Sequence, residues 1–318
     1  MSKKGLDLPL EVLVTGGAGF IGSALTQLLL KKGLRVTVLD NLSFGRGEHI
    51  WPEIRLIRGD LRSEESLIRA IDRPYAMVFH LAAIHFIPYC NSNPQETISI
   101  NVSGTYELLK ALSHTKPKKL FFASTAAVYD TTSRYHREAD LPLPMDIYGI
   151  TKLSGEHLVR QFHKATGVPC QIGRLFNAYG PRETNSHLVP HILEQLKMGT
   201  RTLALGNLTP VRNYIHTSDM VDAIYSLTSR LRKGIEVTNI ASEDEYSVRG
   251  VVSIFSKILK EKISIKVRHD LTRKVERSHL RADLKLLRKR ARLKPRITFE
   301  EGIRELLEEL KISKNHSS

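Results

Sequence analysis

The chain has 318 residues, of which 41% are hydrophobic and 25% charged, as in an ordinary globular protein of about two domains. Its apolar stretches are far shorter than the ~18 residues of a membrane span, and its first residues carry no signal-type segment, so we expect a cytoplasmic protein that does not use a membrane. The net charge of +15 suits an anionic partner. The two cysteines, Cys90 and Cys170, fit a reducing compartment, and we expect free thiols.

The N-terminal region reads as a strand, a glycine turn and a helix. A short apolar strand from residue 11 runs into Gly16, Gly17, Gly19 and Gly22, and a helix follows over residues 23–32. In this arrangement glycines allow a tight turn and a close approach of the backbone to a pyrophosphate, which then lies on the helix N-terminus. The pattern therefore predicts a dinucleotide site.

The predicted second strand, residues 35–39, is followed by Asp40, eighteen residues after Gly22. A carboxylate at this place accepts hydrogen bonds from both ribose hydroxyls and repels a 2′-phosphate. The predicted cofactor is therefore NAD, although Arg46 nearby leaves NADP open.

Further strand-like segments lie at 54–57, 77–82, 119–124, 170–175 and 236–240, with helical stretches such as 96–113 and 148–166 between them. This alternation predicts an α/β protein with a Rossmann-type, doubly wound parallel sheet. We expect an NAD-binding domain over residues 1–180, to which sheet elements near 213–240 return, and a smaller interleaved substrate-binding region over 181–318. Ligands in such sheets bind at the carboxyl ends of the strands.

Tyr148 and Lys152 are four residues apart, so on a helix they lie on one face, one turn apart. An ammonium beside a phenol favours the phenolate, so we expect Lys152 to make Tyr148 a usable base, with the Thr125 hydroxyl sharing the substrate proton. A Y-x-x-x-K match alone is weak, because one chance match is expected in a chain with ten tyrosines and many lysines.

The C-terminal region carries two basic runs, at 273–281 and 288–296. They lack interleaved aromatic residues and a nucleic-acid motif, so we expect no specific nucleic-acid partner and partial packing through Leu284, Leu287 and Leu293. His187 and His191 are four residues apart, but no acidic or cysteine cluster accompanies them, and we expect no metal.

Taken in order, these segments resemble the extended short-chain dehydrogenase/reductases, specifically the nucleotide-sugar epimerase and dehydratase branch (UDP-glucose 4-epimerase-like). The resemblance covers about residues 11 to 255. Its matching strings are T-G-G-A-G-F-I-G (15–22), D-N-L-S-F-G (40–45), G-D-L (59–61), H-L-A-A (80–83), N-V-S-G-T (101–105), S-T-A-A-V-Y (124–129), Y-G-I-T-K (148–152), R-L-F-N-A-Y-G-P-R (174–182) and R-N-Y-I-H-T-S-D-M (212–220).

The resemblance implies roles for individual positions. Thr125, Tyr148 and Lys152 match the catalytic hydroxyl, the base and the ribose-binding lysine, and Asn177 and Arg212 match residues that hold the substrate diphosphate. A further phosphate-binding arginine would be Arg273, Arg277 or Arg281. The positions that would bind or line the NAD site, besides Tyr148 and Lys152, are Gly16, Gly19, Phe20, Ile21, Gly22, Asp40, Asn41, Ser43, Gly45, Asp60, Leu61, Leu81, Ala82, Ala83 and Asn101, the last as a brace of the wall.

Ala126 and Ala127 stand where similar dehydratases carry an Asp-Glu pair and similar decarboxylases a Glu. Neither alanine can transfer a proton, so the resemblance implies an NAD-dependent epimerase of a nucleotide-diphosphate sugar, which we expect to be a homodimer. A dehydratase or decarboxylase that takes its acid from Glu138 or His85 stays open, as does a non-catalytic NAD-binding protein with a basic partner surface. His85 and Phe86 are unusual for the family, and the nucleotide base is open.

Overall fold

We describe a computed structural model of the chain, over residues 10–132, 134–183, 185–271 and 278–312. The strands are β1 (Glu11–Thr15), β2 (Arg35–Asp40), β3 (Arg55–Arg58), β4 (Met77–His80), β5 (Leu120–Thr125), β6 (Cys170–Leu175), β7 (Asn177–Tyr179), β8 (Thr202–Leu205), β9 (Val211–His216), β10 (Ile235–Ile240), β11 (Glu245–Ser247), β12 (Ser264–Val267) and β13 (His279–Leu280). The helices are α1 (Phe20–Lys31), α2 (Glu64–Ala70), α3 (Ile87–Ser92), α4 (Pro94–Ile98), α5 (Thr105–Thr115), α6 (Ile147–Thr166), α7 (Leu188–Lys197), α8 (Thr217–Arg230), α9 (Val248–Leu259), α10 (Lys285–Ala291) and α11 (Phe299–Glu309).

The centre of the fold is a seven-stranded sheet in the order β10-β6-β5-β4-β1-β2-β3, in which every neighbouring pair is parallel. Helices α1, α8 and α10 contribute apolar side chains to the core on one face, and α2, α5 and α6 to the core on the other. Because both faces are covered, the central strands are largely buried, and β4 and β5 are buried at every position. The predicted doubly wound α/β fold is confirmed.

A smaller part of the fold lies beside the carboxyl ends of this sheet. Strand β9 pairs with β7, β11 and β13, and β8 pairs with β12. Their core, with α7, α9 and α11, is built around the buried Tyr179, Phe255 and Phe299. Residues 211–216 therefore belong to this small sheet, whereas residues 235–240 do return to the large one as β10. The domain division near residue 180 stays a prediction.

Two predicted helices differ from the structure. Helix α1 begins at Phe20 rather than residue 23, because Gly19 is already its N-cap and the glycine turn is shorter than expected. The stretch 96–113 is not one helix: a π-helical segment, Ser99–Gly104, separates α4 from α5. At its end, Gly104 lies against Leu61, where an added Cβ would be 3.0 Å from the Leu61 Cβ.

The basic C-terminal region packs on the fold in part. Leu284 and Leu287 are buried beside α8, as expected, but Leu293 is 39% exposed. Several of its cations form ion pairs, including Arg288 with Glu243 and Arg296 with Asp222. Within the described ranges, no helix is long and apolar enough to cross a membrane.

Candidate active site

A cavity of about 880 Å³ opens at the carboxyl ends of β1, β2, β4 and β5 and extends to the small sheet. Apart from Asn101 and the C-terminal arginine candidates, every residue predicted for catalysis, cofactor or substrate lines it. Sequence positions as distant as Gly16 and Arg212 are thus brought together. Their individual contacts with ligands stay predictions.

The glycine turn leaves room for a ligand against the start of α1. Gly16 has φ +73°, which favours glycine, and an added Cβ there would be 2.7 Å from the backbone nitrogen of Ala82. At Gly22 an added Cβ would be 2.0 Å from the Gly16 carbonyl oxygen. Helix α1 has no side-chain cap and no acidic residue in its first turn, so its free N–H groups suit an anion such as a pyrophosphate.

The carboxylate of Asp40, 8% exposed, shapes the adjoining turns. Its oxygens accept hydrogen bonds from the backbone N–H groups of Ala18, at 2.9 Å, and Leu42, at 2.8 Å. It therefore fixes the glycine turn to the end of β2 and still lines the cavity with a negative charge, as a site for an unphosphorylated ribose requires.

Asn41 and Asp60 form the neighbouring part of the cavity. The Asn41 amide donates to Asp60 at 3.2 Å, and the Ser43 hydroxyl donates to Asn41 at 2.7 Å. Arg62 donates two hydrogen bonds of 2.8 Å to the Asp60 carboxylate, and they lower its pKa to about 2. Asp60 therefore stays an acceptor at any physiological pH.

The wall formed by residues 81–84 is braced from behind. Asn101 accepts a hydrogen bond from the Ile84 N–H at 2.8 Å and donates to the Ile84 carbonyl at 2.8 Å. This is the bracing position predicted for Asn101, although its side chain is buried beneath the wall rather than in the cavity. The buried His80, which sequence reasoning left without a role, hydrogen-bonds Thr15 at 2.7 Å and Thr105 at 2.9 Å, and burial lowers its pKa to about 3.

Thr125, Tyr148 and Lys152 all line the cavity, and the side chains of Thr125 and Tyr148 are hydrogen-bonded to each other. Thr125 ends β5, while Tyr148 lies in the first turn of α6 and Lys152 one turn later. Asp146 caps α6 by accepting the Gly149 N–H at 2.8 Å, which fixes the start of the helix and hence the position of the phenol.

The pKa of Tyr148 differs from the expectation that its neighbour Lys152 would lower it. Burial raises the pKa of Tyr148 above its ordinary value, and the hydrogen bond with Thr125 only reduces this effect. Burial also lowers the pKa of Lys152 to about 7, against a smaller opposing effect of Glu156. Sequence spacing shows that the two groups share one face of a helix, but not how completely the fold buries them.

A buried ion pair supports the catalytic helix. Arg174 donates two hydrogen bonds of 2.9 Å to Glu156, and the Ser124 hydroxyl donates to the same carboxylate at 2.6 Å. Both charged side chains are at most 3% exposed. The ion pair ties α6 to β6, and the hydrogen bond from Ser124 ties α6 to β5. Glu156 lies one helical turn after Lys152, and Ser124 directly precedes Thr125.

The predicted diphosphate residues lie at the small sheet. Asn177 donates to the Asn213 carbonyl at 3.2 Å, and Arg212 donates to the Val211 carbonyl at 2.9 Å, while both line the cavity. Arg281 instead pairs with Glu245 at 3.6 Å and does not line this cavity. The other two arginine candidates, at 273 and 277, lie outside the described residues.

Sequence reasoning missed a polar cluster at Glu183, Asn185 and His187. The buried Glu183 carboxylate hydrogen-bonds His187 Nδ1, and the Asn185 amide lies 3.0 Å from His85 Nε2. Burial lowers the pKa of His85 to about 4. The only sequence signal was the run of polar residues after G-P-R. In the described part of the chain, no group of three or more His, Cys, Asp or Glu side chains is placed to hold a metal ion, and Cys90 and Cys170 are buried thiols.

The parallel sheet, the glycine turn and the Thr-Tyr-Lys set define the class: a Rossmann-fold enzyme of the extended short-chain dehydrogenase/reductase type. The model of the NAD dependent epimerase/dehydratase family matches residues 12–241. The chain belongs to this family, which confirms the resemblance and the predicted NAD dependence.

Relatives within the family differ in reaction. A UDP-glucose 4-epimerase of Corynebacterium glutamicum is 34% identical over 264 residues, 77% of this chain and 79% of that protein. A UDP-N-acetyl-alpha-D-glucosaminuronate decarboxylase of Bacillus cytotoxicus is 30% identical over 317 residues, 93% of this chain and 96% of that protein. The crystal structure of the Thermus thermophilus UDP-glucose 4-epimerase in complex with NAD superposes with a TM-score of 0.87 at 28% identity, over 95% of this chain and 99% of that one.

Proposed function

We propose that the protein is an NAD-dependent epimerase that oxidises carbon 4 of a nucleotide-diphosphate sugar and returns the hydride to the opposite face. The observation that carries the proposal is the composition of the catalytic centre. Thr125, Tyr148 and Lys152 line one cavity, and the two positions after Thr125 are Ala126 and Ala127, which line it too. This centre has a proton acceptor for a hydroxyl, and neither residue that follows Thr125 can supply an acid for elimination of water.

Each catalytic side chain has a task in this reaction. Tyr148 Oη accepts the proton of the 4-hydroxyl, and the Thr125 hydroxyl holds the sugar oxygen while that proton moves. Lys152, protonated, places a positive charge one helical turn below the phenol and donates to a ribose hydroxyl. NAD, when bound, supplies the position that takes up the carbon 4 hydride and gives it back. Burial raises the pKa of Tyr148 and so disfavours the phenolate. A positive charge beside the phenol is therefore needed for Tyr148 to act as a base.

The substrate is held at its diphosphate, so that the sugar can turn. Asn177 and Arg212 supply an amide and a permanent cation at the small sheet, and the guanidinium fork matches phosphate oxygens. With the diphosphate fixed, the 4-keto sugar can present either face within a cavity of about 880 Å³. Uridine is the first base to test, because the named relatives act on UDP-sugars.

A dehydratase or decarboxylase is the second candidate, favoured by the decarboxylase relative that matches 93% of this chain. Neither of the two acids proposed from the sequence is suited to a dehydratase or decarboxylase reaction. Glu138 accepts the Asn239 N–H at 2.8 Å and does not line the cavity. His85 lines the cavity, but burial lowers its pKa to about 4, so it is a poor proton donor at neutral pH. A non-catalytic NAD-binding protein would have no use for the Thr-Tyr-Lys set.

The deciding experiment incubates the protein and NAD with UDP-, GDP-, CDP- and dTDP-sugars and analyses mass and stereochemistry. Unchanged mass with inverted carbon 4 supports the proposal, loss of water indicates a dehydratase, and loss of carbon dioxide a decarboxylase. Tyr148→Phe should lower turnover on the order of 100-fold or more while NAD still binds. Tyr106→Phe, at a tyrosine 51% exposed, is the control. Near-parental turnover by Tyr148→Phe would remove Tyr148 as the base.

The remaining expectations follow the same proposal. The cytoplasmic location, the homodimer and the lack of a specific nucleic-acid partner stay predictions. Sedimentation of the purified protein tests the homodimer, since a monomer at working concentration would contradict it.

A further inference from the structure

Glu183 and His187 stand apart from the groups that the proposed mechanism uses. The Glu183 side chain is 3% exposed, burial raises its pKa, and His187 Nδ1 is its hydrogen-bond partner. A buried carboxylate is unfavourable without a partner of this kind. A sugar hydroxyl could be bound by an amide or a hydroxyl group, so hydroxyl binding alone does not explain an imidazole backed by a buried carboxylate.

The two ring nitrogens of His187 have different surroundings. Nδ1 faces Glu183, whereas Nε2 has no hydrogen-bond partner among the residues that the structure describes. The side chain is 33% exposed and lines the cavity, and the centre of its ring lies 5.8 Å from that of His85 and 5.7 Å from that of Phe86. A carboxylate that accepts a hydrogen bond from Nδ1–H keeps the proton on that nitrogen and leaves the Nε2 lone pair free to act as a base.

This pair lines the same cavity as Thr125, Tyr148 and Lys152. His85 is its neighbour in that cavity, with 5.8 Å between the centres of the His85 and His187 rings. His85 itself is occupied, because Asn185 lies 3.0 Å from its Nε2 and the Ala83 backbone also hydrogen-bonds it. Of the two histidines, His187 is therefore the one with a nitrogen left for a ligand.

We propose that Glu183 and His187 form a second proton-transfer pair, which removes and returns the hydrogen of the sugar carbon next to the 4-keto group. The inference rests on the proposed function, because the ketone arises only by oxidation at carbon 4. His187 Nε2 takes the proton, the C–H electron pair forms the enolate, and the enolate oxygen is held by the hydroxyls of Thr125 and Tyr148. Return of the proton restores the ketone, so nothing is oxidised or reduced in this step.

The test supplies the ketone directly, so that it does not depend on the oxidation. UDP-4-keto-6-deoxyglucose is incubated with the NAD-loaded protein in D₂O, and loss of the proton signals at carbons 3 and 5 is followed by NMR. The protein should exchange one of these protons at least 100-fold faster than buffer. Competition with UDP establishes that the probe binds.

Variants separate proton transfer from folding. His187→Asn should lose on the order of 100-fold in exchange rate. Glu183→Gln keeps the shape of the site, but its amide donates to Nδ1 and leaves Nε2 protonated, so a similar loss is expected. His191→Asn is the matched control: His191 lines the same cavity on α7, and its Nε2 is engaged by the Ala204 carbonyl at 3.1 Å. Thermal melting checks that each variant is folded.

Two outcomes overturn the inference: exchange by the parent protein no faster than in buffer, or parental exchange by His187→Asn. Two separate assays of the parent protein distinguish it from the proposed function: inversion of UDP-glucose at carbon 4, and proton exchange of the supplied ketone. Inversion without exchange leaves the proposed function standing and refutes the pair. Exchange without inversion supports the pair and refutes the epimerase.

Discussion

Lys152→Met is expected to stabilise the cofactor-free protein, and to do so more at low pH than at high pH. Lys152 is 3% exposed, and its Nζ lies 4.4 Å from the centre of the Phe122 ring. Burial lowers its pKa from 10.5 to about 7. At about 1.36 kcal/mol per pKa unit, keeping the buried ammonium charged costs about 5 kcal/mol of folding free energy.

The sign follows from proton binding. The pKa of Lys152 is lower in the folded state, so the unfolded chain binds more protons between about pH 7 and pH 10.5, and the free energy of unfolding rises with pH through that window. The penalty is complete below about pH 7, still about 2 kcal/mol at pH 9, and gone above the unfolded pKa. A methionine removes it at every pH and keeps an unbranched apolar chain against Phe122.

Urea unfolding at pH 6 and pH 9, without NAD, measures this directly. Lys152→Met should gain about 3 kcal/mol more relative to the parent protein at pH 6 than at pH 9. Lys164→Met, at an exposed lysine of the same helix, should change the unfolding free energy equally at both values. An equal gain from Lys152→Met at both pH values, or a loss at pH 6, would refute the reasoning.

Three further predictions concern ligands. Asp40→Asn keeps the shape of the Asp40 side chain but removes its charge, so the preference for NAD over NADP should fall on the order of tenfold in titrations; parental binding that already favours NADP would contradict this. Gly22→Ala places a Cβ 2.0 Å from the Gly16 carbonyl oxygen and should weaken NAD binding on the order of 100-fold, whereas Gly47→Ala, where an added Cβ meets no atom within 4 Å, should not. The +15 charge should give weak binding to DNA and RNA oligomers that vanishes by physiological salt, and sequence-selective submicromolar binding that survives it would promote a nucleic-acid function.

The sequence predicted those parts of the molecule that are set by local pattern. The strands of the large sheet are apolar runs ended by turns, and the carboxyl ends of adjacent parallel strands share an edge, so the glycine turn, Asp40 and Thr125 had to lie near one another. Tyr148 and Lys152 are fixed by helical spacing alone. These residues could therefore be assigned to one site from the sequence, without any information on tertiary contacts.

Features that depend on distant contacts were not predictable. The π-helical segment carries Asn101, whose partners in the wall are seventeen positions away. The pKa values of Tyr148 and Lys152 depend on how completely the two side chains are enclosed. The sequence predicted no metal at His187 and His191 and gave His187 no other role. The buried partner Glu183 and the neighbouring ring of His85, about 100 positions earlier in the chain, are visible only in the structure.

The return of β10 to the edge of the large sheet has a consequence for synthesis on the ribosome. Strand β6 is paired on one side by β5 and on the other by residues 235–240, which emerge only after β7, β8 and β9. A nascent chain that has released residue 180 but not residue 240 presents β6 as an unpaired edge, the kind of surface at which strands of different chains associate. A fragment cut at residue 180 would keep that edge, whereas a fragment through residue 241 can close it. The dinucleotide half of this protein therefore completes its sheet only once residues 181–240 of the other half have been made.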